Sequence, residues 1–353
     1  MRNNPLWLLG LAALIVSFPG CDRDDRDAAA VDAPQPASGC TRDSLRVALD
    51  SIDAASGGRM SVSVVDPATG ERFALNGSAP VFMSSVVKLP LALQLLARVD
   101  AGELRFTDTV TVSAEQLSLG RSPLSERYPN GFSMRVDSLI RYAVSESDNT
   151  ANDALLRYSG GPRRATAELQ RLGISNIRID RDYLGYAWDL FGGASLAPNA
   201  TITRAQVDSL RATALAASDD VHDSLSTAFA SQPEDRASTD ALAALLARLA
   251  RGELLSDSSR AFLLRVMTES GNPTGRIVAA LPDGASAAHK TGTWTDWNDV
   301  YTSISDVGIV TLADGRRLAL AVMIADGAGE ESELEEAIAL ATRAILADWD
   351  RCP

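Results

Sequence analysis

The sequence predicts an α/β fold in which an antiparallel sheet of about five strands, built from both ends of the chain, is flanked by helices. Alternating apolar residues on either side of turn residues predict two hairpins, near residues 60–75 and 304–324, and a further strand at 287–293. Between about residues 85 and 280 the apolar residues recur at helical spacing, which predicts an inserted all-α subdomain.

The first part of the chain is predicted to direct export. Residues 1–20 carry a short apolar run after Arg2, which is typical of a signal peptide. Residues 21–39 have the Asp-, Ala- and Pro-rich composition of a disordered tether. Cys21 follows a glycine, so a lipid on this Cys is the alternative to simple secretion. We expect an exported, periplasmic protein whose only link to a membrane would be that lipid.

Two other cysteines bracket the domain that is predicted to span residues 40–353. Cys40 lies just before the first predicted helix, and Cys352 just after the last. In an oxidising compartment this arrangement predicts a disulfide between them, with two free thiols as the alternative.

Composition limits the partners that the protein can bind. The chain has 33 basic and 46 acidic residues, a formal charge of −13, which argues against a nucleic-acid partner. Two His and three Cys are too few and too scattered for a zinc cluster, so we expect no metal and no cofactor. We expect a monomer that acts on a small molecule. Only Lys88 and Lys290 among the basic residues are lysines, and a lysine, unlike an arginine, can lose its proton.

The first lysine belongs to a motif that predicts nucleophilic catalysis. Ser85 and Lys88 are three residues apart at the start of a very apolar predicted helix, so they share one helical face. A helix N-terminus stabilises an alkoxide, and a desolvated lysine can take the serine proton. The alternative is a lysine whose buried stem reaches solvent.

Two further clusters follow, each with a structural alternative. Ser147-Asp148-Asn149 precedes a predicted helix, where such residues are also common caps. Lys290 lies on a predicted strand and is followed by Thr291, Gly292 and Thr293. It could face an anionic substrate, and the glycine would let a ligand approach the backbone closely; the alternative is a strand lysine that points to water.

Taken together, the three clusters read S-x-x-K, S-D-N and K-T-G in that order, the signature of the serine penicillin-recognising enzymes. Over residues 41–350 the chain resembles a class A β-lactamase, and Ser122-Pro123-Leu124 and Asp306-Val307-Gly308 are similar to its extended-spectrum cephalosporinase branch. This resemblance implies the β-lactamase/DD-peptidase fold.

The resemblance also implies a role for each motif residue. Ser85 would be the acylated nucleophile, Lys88 its base and Ser147 the proton relay to the leaving nitrogen. The substrate would be bound by four further residues: Asn149 on its side-chain amide, and Lys290, Thr291 and Thr293 on its carboxylate. The backbone N–H groups of Ser85 and Thr293 would form the oxyanion hole.

One departure from the family concerns deacylation. The family has a Glu about ten residues after a Leu-Gly pair, but here that place reads Asp180-Arg181-Asp182-Tyr183-Leu184-Gly185. Asp182 is the predicted substitute base, and Asp189 the second choice. Arg181 resembles the loop-closing Arg of the family, and Asp235 its partner. Between them lies an insertion at about 188–234, in which the apolar spacing predicts a short helix.

Three functions are therefore open at this point. The first is a β-lactamase with a deacylating carboxylate. The second is a cell-wall DD-peptidase or transpeptidase that forms slowly released adducts with penicillins. The third is a non-catalytic sensor of β-lactams or cell-wall peptides, which the Ser85–Lys88 pair argues against because binding alone needs no deprotonatable lysine.

Overall fold

The central element of the fold is a five-stranded antiparallel sheet. A computed structural model describes residues 41–194, 202–271 and 275–352. The strands in these residues are β1 (Arg59–Val65), β2 (Arg72–Leu75), β3 (Pro80–Phe82), β4 (Thr109–Ser113), β5 (Gly131–Arg135), β6 (Arg236–Ser238), β7 (Ser286–Thr295), β8 (Tyr301–Thr311) and β9 (Arg317–Ala325). The sheet order is β2-β1-β9-β8-β7, so β1 and β9 join the hairpins from the two chain ends. The prediction of this sheet is confirmed.

The alternation within β1 explains how the sheet divides the core. Met60, Val62 and Val64 are buried on one face, in register with apolar residues of β9. Ser63 is on the opposite face, and its Oγ lies 2.9 Å from Oγ1 of Thr239. Since side chains alternate between the faces of a strand, the sheet can be covered by helices on both sides.

The helices form those two layers. In the described residues they are α1 (Asp43–Ala55), α2 (Lys88–Asp100), α3 (Pro123–Arg127), α4 (Val136–Ser145), α5 (Asn149–Tyr158), α6 (Pro162–Arg171), α7 (Tyr183–Leu190), α8 (Arg204–Leu215), α9 (Asp219–Ala230), α10 (Thr239–Ala250), α11 (Asp257–Thr268) and α12 (Glu331–Arg351). The terminal helices α1 and α12 pack together on the face of Met60, Val62 and Val64. The first eleven residues of α2 are buried, so α2 is the central helix of the other layer.

The inserted part differs from the prediction in two respects. It is not purely helical, because β3 pairs with β6 and β4 with β5. The alternation of Thr and Val in β4 accounts for the second of these pairs. In the part of the insertion that the structure describes there are two helices, α8 and α9, instead of the one predicted. The second helix escaped prediction because few of its residues are apolar, and only Ser226 and Phe229 are buried.

Several predictions fall outside the described residues: the signal peptide at 1–20, the tether at 21–39, and the roles of Cys21 and Cys40. Cys352 follows the last helix and is 5% exposed. Across the helices that the structure describes, none combines the length and apolarity needed to span a membrane.

Candidate active site

The predicted nucleophile lies at the junction between β3 and α2. A short 3₁₀ helix, Ser84–Val87, precedes α2, and Ser85 is its second residue. Ser84 has a φ of 45°, in the left-handed region that is unfavourable for a side chain. Such backbone strain is often found at functional sites, where the surrounding structure holds it in place.

A close approach of β7 helps to hold this junction. A Cβ atom on Gly292 would lie 2.9 Å from the carbonyl oxygen of Met83, and closer still to the hydroxyl of Ser84. Only glycine fits there. Gly292 was predicted to let a ligand approach the backbone closely. In the structure, the space that a side chain would fill is occupied by Met83 and Ser84, which precede the nucleophile.

Lys88 is placed to act on Ser85. It begins α2, is 1% exposed, and its Nζ lies 3.0 Å from Ser85 Oγ. The same Nζ lies 2.7 Å from both the Ser147 carbonyl oxygen and Asn149 Oδ1. Burial lowers the Lys88 pKa well below its ordinary value, and the nearby charge of Lys290 lowers it further.

A neutral Lys88 satisfies these contacts in one consistent way. A neutral amine has two N–H donors and one lone pair. The Ser147 carbonyl and Asn149 Oδ1 can only accept, so they take the two N–H groups. The lone pair then remains to accept the hydroxyl proton of Ser85. The geometry therefore suits Lys88 to act as a base.

The second motif combines a structural and a chemical arrangement. Asp148 caps α5 by accepting the Ala151 N–H at 2.8 Å, and it also accepts the Leu124 N–H at 2.7 Å. Ser147 and Asn149, on either side, both contact Lys88. The capping explanation therefore holds for Asp148, whereas its two neighbours reach the predicted site.

The third motif completes a line of polar groups. Lys290 is fully buried, and its Nζ lies 3.0 Å from Ser147 Oγ and 2.8 Å from the Thr291 carbonyl. Burial lowers the Lys290 pKa to about 7, although the nearby Asp306 opposes this change. The hydroxyl of Ser147 thus bridges the two lysines, since Lys88 Nζ lies 3.2 Å from it. The alternative in which Lys290 points to water does not hold.

Sequence reasoning missed Arg276, which supports the third motif. Its fully buried guanidinium donates to the Gly292 carbonyl at 3.0 Å and to Thr293 Oγ1 at 2.7 Å. Glu335 lies 3.0 Å from the guanidinium and helps to balance its charge. No sequence signal singled out this residue, because almost every cation of the chain is an arginine.

The hydrogen bond that the structure gives the Asp182 carboxylate does not involve Ser85. The Asp182 carboxylate caps α7 by accepting the Gly185 N–H at 2.8 Å, and it lines a separate cavity with Glu115 and Arg157. Asp189, the second choice, pairs instead with Arg181 at 2.6 Å. No hydrogen bond from a carboxylate to Ser85 is present among the described residues.

The side chain that does reach Ser85 is a tyrosine. Tyr183 Oη lies 3.0 Å from Ser85 Oγ, and Tyr183 is 4% exposed. Burial raises the Tyr183 pKa above its ordinary value, so the phenol keeps its proton. The sequence did not single out this residue, because the deacylating residue implied by the family resemblance is a carboxylate. Its position beside Asp182 was the only available signal.

The insertion contributes to one wall of the site. Phe82, just before the nucleophile segment, makes an edge-on contact with Phe229 of α9, with 5.4 Å between ring centres. Phe229 also stacks on Trp294 of β7 at 5.8 Å. Tyr183 and Tyr186 of α7 belong to the same cluster. The predicted Arg181–Asp235 pair is present at 2.8 Å and links the two ends of the insertion.

Comparisons with known proteins agree on one family. A family model described as "Beta-lactamase enzyme family" matches residues 44–349. Beta-lactamase VEB-1 of Pseudomonas aeruginosa is 26% identical over 304 residues, 85% of this chain and 88% of that protein. Extended-spectrum beta-lactamase PER-1 of the same species is 30% identical over 296 residues, 83% of each chain. The crystal structure of a β-lactamase from Chitinophaga pinensis is 28% identical with a TM-score of 0.70, and the match covers 88% of this chain and 100% of that one.

Proposed function

Because the chain belongs to the class A β-lactamase family, we propose that it opens β-lactam rings by forming an acyl-enzyme on Ser85. The observation that carries this proposal is the 3.0 Å contact between Ser85 Oγ and the buried Nζ of Lys88. A serine hydroxyl becomes a useful nucleophile when a base takes its proton. Burial lowers the Lys88 pKa well below its ordinary value, which favours the neutral amine that this role requires.

The proton then has a short path to the leaving group. Ser85 Oγ attacks the lactam carbonyl and passes its proton to Lys88. When the lactam C–N bond breaks, the nitrogen takes a proton from Ser147, which recovers one from Lys88. The 3.2 Å and 3.0 Å distances from Ser147 Oγ to Lys88 and Lys290 support this relay. The backbone N–H groups of Ser85 and Thr293 would stabilise the carbonyl oxygen as it becomes negative.

Unused donors in the site support the assignment of the binding residues. Lys290 spends two of its three donors on Ser147 and Thr291, which leaves one for a substrate carboxylate, together with the hydroxyls of Thr291 and Thr293. Asn149 spends one amide N–H on the Leu119 carbonyl at 3.1 Å, which leaves one for the amide of a substrate side chain.

A single experiment tests the acylation step. We expect a fluorescent penicillin to label Ser85 alone, and we expect Ser85→Ala to abolish the label, which is read by intact mass and peptide mapping. Ser84→Ala is the matched control, because Ser84 is adjacent and its buried hydroxyl has no partner among the described residues. A label mapped to Ser84 or Ser147 would contradict the proposal.

The contacts of Asp182 favour a second candidate, a cell-wall DD-peptidase that releases penicillin adducts slowly. Fast hydrolysis of the acyl-enzyme needs a strong base beside the attacking water, and the carboxylate that the sequence offered for this role caps α7 instead. Time-resolved mass spectrometry with a cephalosporin separates the candidates. Rapid return to the unmodified mass indicates a β-lactamase, and a lasting adduct indicates the second candidate.

Asp182→Asn tests the carboxylate that the sequence offered as the deacylating base. Because Asn caps a helix about as well as Asp, we expect acylation and deacylation to stay within about twofold of wild type in pre-steady-state kinetics. Asp182→Ala, which removes the cap, should cost about 1 kcal/mol of stability. If Asp182→Asn slows deacylation alone, the carboxylate is the base that the sequence predicted.

We extend the proposal to an exported, monomeric protein with a disulfide between Cys40 and Cys352. The proposed disulfide is supported by Cys352, which is disulfide-bonded in the structure. A lipid on Cys21 remains part of the same proposal.

A further inference from the structure

We propose that Tyr183 is a catalytic residue that donates its phenolic O–H to Ser85 Oγ and so stabilises negative charge on that oxygen during both acylation and release. The inference rests on the proposed acylation of Ser85, but it concerns a residue for which the motifs assign no role.

The hydrogen-bond pattern around Ser85 determines which atom donates. The Ser85 hydroxyl has one proton, and the lone pair of neutral Lys88, 3.0 Å away, accepts it. The Tyr183 Oη at 3.0 Å must therefore act as the donor, with Ser85 Oγ accepting. Burial raises the pKa of the phenol, so this donor stays protonated throughout the neutral range.

The position of Tyr183 is fixed from two sides. Its backbone N–H donates to Oδ1 of the fully buried Asp153 at 3.0 Å, which holds the first turn of α7 over the site. Its ring packs on Tyr186, with 4.9 Å between ring centres, and lies 4.7 Å from Lys88 Nζ. A donor that is held in place before the reaction costs little reorganisation when charge appears.

The phenol keeps its proton in both steps. In acylation, Ser85 Oγ bonds to the substrate carbon and its proton goes to Lys88, which returns to the neutral state once the leaving nitrogen is protonated through Ser147. In release, water attacks the ester carbon and its proton passes to Lys88. The bond from that carbon to Oγ then breaks, and Lys88 returns the proton to Oγ. Charge develops on Oγ in each step, where the Tyr183 O–H can stabilise it.

Two conservative variants test the proposal. Tyr183→Phe keeps the ring and removes only the donor. Tyr186→Phe is the matched control, since its hydroxyl is also buried but has no partner among the described residues. We expect Tyr183→Phe to lower the acylation rate constant for a chromogenic cephalosporin by about 10- to 100-fold, and the release rate as well. Tyr186→Phe should leave both rates unchanged.

Labelling by a fluorophosphonate, which reacts with an activated serine, measures the same effect without a β-lactam. Failure of the wild type to react with cephalosporins would overturn the proposed function, and the fluorophosphonate rates would still test Tyr183. Wild-type rates in Tyr183→Phe with both reagents would overturn the inference. Incorporation of 3-fluorotyrosine at position 183 controls for misfolding, because this analogue keeps the hydroxyl and makes it a more acidic donor. The labelling rate should then stay the same or rise. A loss of rate like that in Tyr183→Phe would also overturn the inference.

Discussion

Lys88→Arg is expected to impair acylation as severely as Lys88→Ala, by about 10²- to 10⁴-fold, which is the usual contribution of a general base. An arginine keeps the positive charge but does not lose its proton in a protein. Here the lone pair of a neutral amine is what accepts the Ser85 proton, with the two N–H groups already engaged by Ser147 and Asn149. The acylation rate constant from stopped-flow measurements is the readout.

Lys290→Arg is the comparison for this result. Lys290 contacts Ser147 and Thr291, and in the proposed mechanism it contributes a donor and a charge to a carboxylate, which an arginine can also supply. We therefore expect Lys290→Arg to lower the acylation rate constant less than Lys88→Arg does. Equal losses at the two positions would show that the lysines do not have separate roles.

Asp235→Ala should have the largest effect on stability, a loss of about 3–5 kcal/mol, because it removes the fully buried partner of Arg181 and leaves that guanidinium only the more exposed Asp189. Asp235 is fully buried and pairs with Arg181 at 2.8 Å. The same carboxylate accepts the Asp180 N–H at 2.7 Å, so the substitution also leaves that backbone donor without its partner. The Asp235 backbone oxygen, which the substitution keeps, accepts the Met83 N–H at 2.9 Å and connects this loop to the nucleophile segment.

Urea unfolding provides the measurement and the control. Asp350→Ala breaks a surface pair with Arg316, in which the Asp350 side chain is 76% exposed, so its effect should stay within about 1 kcal/mol. If both variants unfold at similar urea concentrations, the buried pair is not what stabilises this loop.

The parts of the site that the sequence predicted are those encoded by short local patterns. Ser85 and Lys88 share one helical turn, and the K-T-G residues follow one another on β7, so spacing alone relates their side chains. The sheet was predictable because alternation marks strands that bury one face. The family resemblance drawn from these motifs is confirmed.

The missed features depend on contacts between distant residues. Tyr183 and Ser85 are 98 positions apart, and a tyrosine in an apolar run such as Tyr183–Leu190 is typical of a buried core side chain. The Arg276 contacts with the third motif depend on how β7 and β8 pair. No periodic pattern encodes such contacts, because they arise only when the layers pack together.

The enclosure of both lysines also determines the surface chemistry of the protein. Lys88 and Lys290 are 1% and 0% exposed, and every other basic side chain apart from the two histidines is an arginine. The exterior of the folded domain therefore presents no ε-amino group. Apart from its α-amino group, the folded protein offers an N-hydroxysuccinimide ester no exposed amine while Lys88 and Lys290 stay buried. Modification of any amine other than the α-amino group would therefore report that the site around the two lysines has opened.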